Sequence, residues 1–218
     1  MRRISAALIV LSFGAGATDA FAFIMLGGIF TANMTGNLIL IALLQRPTYL
    51  ATLAGAAVAI AIFVVTLLAG FRFTRARSSG VEHPRAVQVL GAGAIAQTAV
   101  LVWWVTIGGS ASLPVQIGLV GLSAVAMATQ TVVSKRVSSL SGVTTTYVTG
   151  TLTSVMEDIA DGKPGERAIR VVSVVSVVAG ALAGSLVMIA APSLGAVLPC
   201  VAVWTALVLL ATGQSWSK

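Results

Sequence analysis

Charged residues are scarce in this chain. They account for 9% of its 218 residues, whereas hydrophobic residues account for 57%. Soluble domains carry charge on about a quarter of their residues. The composition therefore excludes a soluble domain and indicates an all-α integral membrane protein.

Cysteine and histidine occur once each, as Cys200 and His83. A single cysteine cannot close an intramolecular disulfide, and these residues form no metal-ligand cluster. The motifs of zinc peptidases, serine hydrolases and phosphate-binding loops are also missing from the sequence. We therefore expect no enzyme activity, no metal and no cofactor.

Acidic residues are few, six against thirteen basic ones, and the net charge is +7. The basic residues stand singly or in pairs between apolar segments and form no patch with interleaved aromatic residues. This pattern is not that of a nucleic-acid-binding protein. The expected partner is the lipid bilayer.

The chain contains long apolar runs. Six of them are long enough to cross a bilayer, and proline stands at most of their edges. They cover residues 5–25, 49–71, 86–107, 113–133, 169–190 and 193–211. Pro199 lies inside the last run, where we expect a kink in the helix.

Two further segments begin with polar, turn-forming residues and are too short to cross. The first contains TANMTGN at 31–37, and a helix over 35–44 would cover about 15 Å of a hydrocarbon core of about 30 Å. The second contains TTYVTGT at 145–151. Both are predicted to be re-entrant half-helices.

These two motifs belong to a longer internal repeat. Thr35 pairs with Thr149 and Gly36 with Gly150, and ATD at 17–19 is echoed by ATQ at 128–130. The echo of the first span also argues against a cleaved secretory signal. The repeats cover about 5–108 and 112–213 within one membrane domain, with three full spans each. Because three is odd, the second repeat must be inverted, as in transporters with a midplane site.

The distribution of basic residues distinguishes six spans from eight. If both short segments crossed the membrane, the basic residues would divide almost evenly between its two sides. If both segments re-enter, every basic residue except Arg46 lies on one side. The positive-inside rule favours re-entry, with both termini in the cytoplasm.

Three features together resemble a known family. They are Asp19 in the first span, the sequence FTANMTGN at 30–37, and Val148-Thr149-Gly150 in the second half. The chain resembles the YoaK family of small multi-pass bacterial membrane proteins, a domain of unknown function. The resemblance implies an inner-membrane protein with a transport role and no assigned substrate.

The start of a buried half-helix leaves backbone N–H groups without helical partners, and in lipid these must be satisfied. Asn33 or Thr35 can cap the first half-helix, and Gly36 allows a ligand or a neighbouring backbone to come close. The residues expected to bind substrate or ion at the two facing N-termini are Asn33, Thr35, Gly36, Asn37, Tyr147, Thr149, Gly150 and Thr151. The alternative is that they only cap the half-helices.

Asp19 is the one acidic residue well inside a span, and Gln130 is its repeat partner. A carboxylate at this depth is costly unless it is paired, protonated or facing water, so both residues join the predicted binding site. The alternative for Asp19 is a packing group hydrogen-bonded to Thr18, Asn33 or Asn37. Gln130 and Gln97 either line a cavity or join helices.

These observations predict a transporter or channel for a small neutral polar molecule or a weak acid, with Asp19 as a coupling group for protons. No basic residue is placed to neutralise an anion at the midplane. The partners are then the bilayer and a small-molecule substrate, and the sequence leaves a homo-oligomer open. The rival interpretation is a non-transporting membrane protein that acts as a partner or assembly factor.

Overall fold

A computed structural model describes residues 2–75, 82–138, 148–161 and 167–212. The regular elements in these ranges are eight α-helices and one short 3₁₀ turn at Pro192–Leu194. In chain order the helices are α1 (Arg2–Met25), α2 (Met34–Ala42), α3 (Tyr49–Phe73), α4 (Glu82–Thr106), α5 (Leu113–Ser138), α6 (Val148–Ala160), α7 (Arg167–Ala190) and α8 (Val197–Ala211).

Six of these helices are long and apolar enough to cross a membrane: α1, α3, α4, α5, α7, and α8 with the turn before it. They match the six apolar runs of the sequence. The other two are short. With 9 residues, α2 is about 13 Å long, and with 13 residues, α6 is about 20 Å long.

The last span differs from the sequence prediction at its start. Helix α8 begins at Val197, after the 3₁₀ turn, and Pro199 lies in its first turn. The N–H groups of a first turn have no intrahelical partner, so proline removes no hydrogen bond there. The expected kink inside the span is therefore wrong, because Pro199 belongs to the beginning of the helix.

Two pairs of long helices pack in parallel. In α1 and α7, a side chain on Gly180 would overlap the carbonyl oxygen of Phe13, and one turn further along Gly184 lies against Ala17. Residue numbers thus rise together along the two helices. The same relation holds between α3 and α5, where the contacts are Ile62 with Gly121 and Val132 with Gly70.

Three other pairs pack antiparallel, as contacts at two levels of each pair indicate. They are α1 with α8 (Gly14–Ala202 and Phe21–Gly195), α4 with α5 (Gly93–Thr129 and Trp103–Gly118), and α4 with α8 (Thr98–Trp204 and Trp104–Pro192). It follows that α1, α4 and α7 point one way and α3, α5 and α8 the other. Successive long helices alternate in direction.

Helix α5 is the most enclosed of the six. In its most apolar 18-residue window, 78% of the residues are buried, against 22% for α3 and for α7. It contacts α1, α3 and α4. Side chains of α5 enter all three clusters of buried apolar residues, so this helix forms the centre of the bundle.

Each short helix packs against the long helix that follows it. The Tyr49 hydroxyl donates to the carbonyl of Ile41 at 3.2 Å, which joins the start of α3 to the end of α2. At the other end of α2, Met34 packs on a cluster that includes Phe63 and Met127, which lie near the middle of α3 and α5. The N-terminus of α2 therefore reaches the middle of the bundle.

Helix α6 lies against α7, with Thr151 and Val155 buried. Near its C-terminal end, Asp158 forms an ion pair with Arg170 at 2.7 Å. Arg170 is close to the start of α7, so the C-terminus of α6 and the N-terminus of α7 lie at the same end of the bundle.

Candidate functional site

The chain reverses direction after α1. Helix α1 ends at Met25, and Gly27 and Gly28 follow with φ angles of 85° and 73°. Residues with a side chain rarely adopt this left-handed conformation, so the turn depends on glycine. The reversal brings residues 30–33 back alongside α1.

Asp19 holds this returning segment. Its Oδ1 atom accepts three hydrogen bonds: from the N–H of Thr31 at 2.8 Å, from the Thr31 hydroxyl at 2.9 Å and from the N–H of Ala32 at 3.2 Å. Thr31 is fully buried and Asp19 is partly buried. Asp19 is therefore hydrogen-bonded, as the packing alternative required, but its partners are Thr31 and Ala32 rather than Thr18, Asn33 or Asn37.

Asn37 holds the same segment from the other side. Its Oδ1 atom accepts from the N–H of Phe30 at 2.9 Å, and its Nδ2 atom donates to the carbonyl of Phe30 at 2.7 Å. The Asn37 side chain is fully buried. Both backbone groups of Phe30 are thus satisfied by one amide, which fixes the loop on the first turn of α2.

Asn33 caps α2. Its Oδ1 atom accepts from the N–H of Gly36 at 3.1 Å, so the cap is Asn33 rather than Thr35. A Cβ atom on Gly36 would lie 2.8 Å from the Phe30 ring, so glycine here admits a neighbouring side chain. The Thr35 side chain is exposed, and its N–H has no partner among the described residues.

Most of the hydrogen-bonding capacity at this helix start is used within the chain. Asn37 and Asn33 bind backbone groups, and only Thr35 offers both an exposed hydroxyl and an unbonded N–H. Asp19 also keeps one oxygen open, because its Oδ2 atom accepts no hydrogen bond from the described residues. The groups left for another molecule in this cluster therefore include the Asp19 Oδ2 atom, the exposed Thr35 and the Nδ2 atom of the exposed Asn33.

The second motif is described from Val148 onward, and Tyr147 lies outside the described residues. Thr149 and Gly150 are exposed in the first turn of α6, and Thr151 is buried. Thr145, which the sequence pairs with Thr31, also lies outside the described residues.

Among the described residues, no hydrogen bond joins Gln130 to Asp19 or to its partners. Gln130 is 2% exposed in α5, and its Oε1 atom has no partner among the described residues. The structure thus brings Asp19, Asn33, Gly36 and Asn37 together around residues 30–32. Phe30 and Thr31 were not among the residues predicted for the site. Phe30 contributes backbone groups, which residue type does not reveal, whereas Thr31 opens the repeated motif and carries a hydroxyl that could have indicated it.

In the described ranges, histidine, cysteine, aspartate and glutamate side chains form no group of three or more that could hold a metal ion. The Asp19 cluster contains one carboxylate and is otherwise built from amides, hydroxyls and backbone groups. Groups of these kinds form hydrogen bonds, and a carboxylate can also bind a proton.

Six helices that are long and apolar enough to cross a membrane define a multi-pass α-helical membrane protein. The sequence pattern of the family "Protein of unknown function (DUF1275)" matches residues 7–210, and the chain belongs to this family.

A curated relative agrees with this assignment. The chain is similar to the UPF0700 transmembrane protein YoaK of Bacillus subtilis (strain 168), with 30% identity over 158 residues. The alignment covers 70% of this chain and 66% of the relative, just under two thirds of its length. The predicted resemblance to the YoaK family is confirmed. No solved structure matches the chain.

Proposed function

We propose that this protein transports a small neutral polar molecule or a weak acid, with Asp19 in the binding site. The observation that carries the proposal is the asymmetry of the Asp19 carboxylate. Three donors occupy Oδ1, whereas Oδ2 has no partner among the described residues. One oxygen holds the half-helix, and the other is left for a proton or for a donor group of the cargo.

The alternating directions of the long helices support the re-entrant arrangement of α2 and α6. If α2 crossed the bilayer, α1 and α3 would point the same way, and if α6 crossed, so would α5 and α7. The packing contacts give opposite directions in both cases. Lengths of about 13 and 20 Å are also short for a core of about 30 Å.

The pattern of helix contacts supports the inverted repeat. Exchanging α1–α4 with α5–α8 turns the parallel pair α1 and α7 into the parallel pair α5 and α3. It also turns the antiparallel pair α1 and α8 into α5 and α4, and the pair α2 and α3 into α6 and α7. Every one of these pairs is in contact. Inverted repeats with paired broken segments are typical of transporters rather than of enzymes.

The charges support an inner-membrane orientation with both termini in the cytoplasm. With six spans, Arg46 between α2 and α3 is the single basic residue on the outer side. The ends of α3 and α5 on the opposite side are joined by Arg136, which donates to Thr74 at 3.0 Å and to the carbonyl of Phe71 at 3.1 Å. Basic residues concentrate on the cytoplasmic side of membrane proteins.

The lack of a basic residue among the described hydrogen-bond partners of Asp19 limits the cargo. An organic anion would meet a carboxylate with no described cation among its hydrogen-bond partners. The start of α2 supplies only a partial positive charge of about half a unit. An organic anion would therefore be repelled by the Asp19 carboxylate. A neutral molecule avoids this repulsion, and so does a weak acid that is carried together with a proton bound to the Oδ2 atom of Asp19. If the Asp19 carboxylate binds a proton on one side of the membrane and releases it on the other, transport would be coupled to the proton gradient.

The rival function is a non-transporting partner or assembly protein. The observation that favours it is that Asn33 and Asn37 form their hydrogen bonds with backbone groups of the same segment. In that case the polar cluster only stabilises the half-helix. A substitution that changes only the Oδ2 atom of Asp19 would then have no effect on what the protein does.

Uptake into proteoliposomes tests the proposal. The protein would be offered radiolabelled urea, glycerol, acetate and lactate with and without an inward proton gradient. We expect accumulation of at least one of these solutes, and we expect Asp19→Asn to lose the response to the gradient. The control is Thr18→Val, because the Thr18 hydroxyl is bonded to the carbonyl of Gly14 at 2.7 Å in the same helix. Uptake no faster than in protein-free vesicles would contradict the proposal and favour the rival function.

A further inference from the structure

Three polar residues lie on one face of α5, the most enclosed helix. They are Gln116, Ser123 and Gln130, spaced seven residues apart, which is close to two helical turns. Together they cover about 21 Å of a hydrocarbon core of about 30 Å. The sequence from 113 to 134 contains no charged residue.

The outer end of this row opens into a cavity. The cavity has a volume of about 100 Å³ and lies between the turn after α1 and the first turns of α3 and α5. Gln116, Gly27 and Thr48 are among its lining residues. The Nε2 atom of Gln116 donates to the carbonyl of Ala111 at 2.9 Å.

Ser123, in the middle of the row, lacks the partner that a helical hydroxyl usually finds. Ser12 and Thr18 donate to the carbonyl four residues earlier in α1, at 2.9 and 2.7 Å. Ser123 is 0% exposed, and its Oγ atom has no partner in the described ranges. A buried hydroxyl without a hydrogen bond is a cost that calls for an explanation.

Gln97 of α4 lies at the level of Ser123. The contacts of Gly93 with Thr129 and of Trp103 with Gly118 place residue 97 opposite the turn 122–125 of α5. Gln97 is 0% exposed, and neither its Nε2 nor its Oε1 atom has a partner in the part of the chain that the structure describes. An amide and a hydroxyl are thus both unsatisfied near the middle of the bundle.

The residue at the inner end of the row, Gln130, is also buried with an unsatisfied polar atom. Gln130 is 2% exposed, and its Oε1 atom lacks a partner among the described residues. The hydrocarbon of a bilayer supplies no hydrogen bonds to such groups. Unsatisfied atoms on Gln97, Ser123 and Gln130 therefore point to a molecule that supplies their hydrogen bonds in another state of the protein.

We propose that Gln116, Ser123 and Gln130 of α5, with Gln97 of α4, line the route of a small neutral solute that both donates and accepts hydrogen bonds. This inference rests on the proposed transport function and narrows its cargo. Amides and hydroxyls offer donors and acceptors together, and a row without charge gives an ion no compensation. The route connects the outer cavity to the level of Gln130.

Cysteine accessibility tests the route without any cargo. In a Cys200→Ala background in membrane vesicles, Ser123→Cys and Ala124→Cys would be treated with 2-aminoethyl methanethiosulfonate. The two positions share one depth, but Ala124 lies in an apolar cluster with Phe63 and Met127. We expect the cysteine at position 123 to react at least tenfold faster. Equal rates, or no reaction at 123 while Thr48→Cys is labelled, would overturn the route.

The melting temperature of the purified protein gives a second readout. Gln97→Leu removes an amide that has no described partner, so we expect it to raise the melting temperature while slowing transport. Asn37→Leu is the matched control, because Asn37 is equally buried but fully bonded, and it should lower the melting temperature. If Gln97→Leu lowered the melting temperature as much as Asn37→Leu does, the Gln97 amide would stabilise the fold, and its place in the route would be overturned.

These outcomes are separable from those of the proposed function. An uptake screen that succeeds while position 123 stays unreactive would overturn the route and leave the transport function standing. A screen in which no solute is taken up would overturn both the transport function and the inference that rests on it. Labelling at 123 would then report water in the bundle rather than a transported solute.

Discussion

The Oδ1 atom of Asp19 accepts hydrogen bonds from both the N–H and the hydroxyl of Thr31, at 2.8 and 2.9 Å. Thr31 is fully buried, so neither of these donors has access to water. The carboxylate therefore takes the place of water at the entry to α2. This pairing joins α1 to the segment that enters α2 and leaves Oδ2 open.

Removing the acceptor at position 19 should destabilise the protein. Asp19→Leu leaves the two Thr31 donors and the Ala32 N–H without their acceptor, at a cost of about 1–3 kcal/mol. Asp19→Asn keeps an acceptor oxygen and should retain most of the stability. Denaturant unfolding in mixed micelles measures both variants. A leucine variant as stable as the parent would mean that the segment does not depend on this contact.

The two asparagines of the motif should differ in their contribution. Asn33→Ala removes one capping hydrogen bond, which costs about 1 kcal/mol. Asn37→Ala leaves both backbone groups of Phe30 without their partner in a fully buried place, and it should cost more. Comparing the free energies of unfolding checks this order, and the reverse order would contradict the structure of the loop.

Helix packing predicts opposite results at two glycines. Gly180→Ala places a methyl group against the Phe13 carbonyl and should push α1 away from α7. Gly91→Ala meets no atom within 4 Å and should be neutral or stabilising, since alanine favours a helix by up to about 1 kcal/mol. Yield of folded protein in size-exclusion chromatography separates the two outcomes. Equal yields would contradict the close packing of these helices.

The six long helices could be predicted from the sequence because burial in lipid demands long apolar runs. The predicted run 113–133 lies within α5 (Leu113–Ser138), and 169–190 lies within α7 (Arg167–Ala190). The start of α8 could not be predicted, because the turn before the helix and the helix itself are equally apolar in sequence. Pro199 signals a break by residue type, yet its position in the first helical turn makes it harmless.

The site was predictable in part. Asp19 and the motif at 31–37 stand out because polar residues are rare in this chain. Their partners did not stand out, since Phe30 contributes only backbone groups, which any residue carries, and the Thr31 hydroxyl is one of many in the chain. Gln97 was predicted either to line a cavity or to join helices, whereas Ser123 was not singled out. The lack of a hydrogen-bond partner at both residues is a property of the packed structure alone.

The re-entrant arrangement predicts which loops face the outside. In a Cys200-free variant, cysteines at Thr48 and Ser110 should react with an impermeant thiol reagent applied outside the cell. A cysteine at Ser79, which lies outside the described residues between α3 and α4, should not. Labelling of Ser79 together with protection of Thr48 would mean that α2 crosses the membrane.

The claim that both half-helices bind the cargo is tested most directly by the affinity of Thr35→Val and Thr149→Val for one transported solute. Both hydroxyls are exposed at the start of a short helix. Losing either should weaken binding by about tenfold, equivalent to about 1.4 kcal/mol. Thr153→Val is the control, since its hydroxyl is bonded to the carbonyl of Thr149 at 2.9 Å. We expect unchanged affinity in the control and weaker affinity in both other variants, and parental affinity in both would contradict the account.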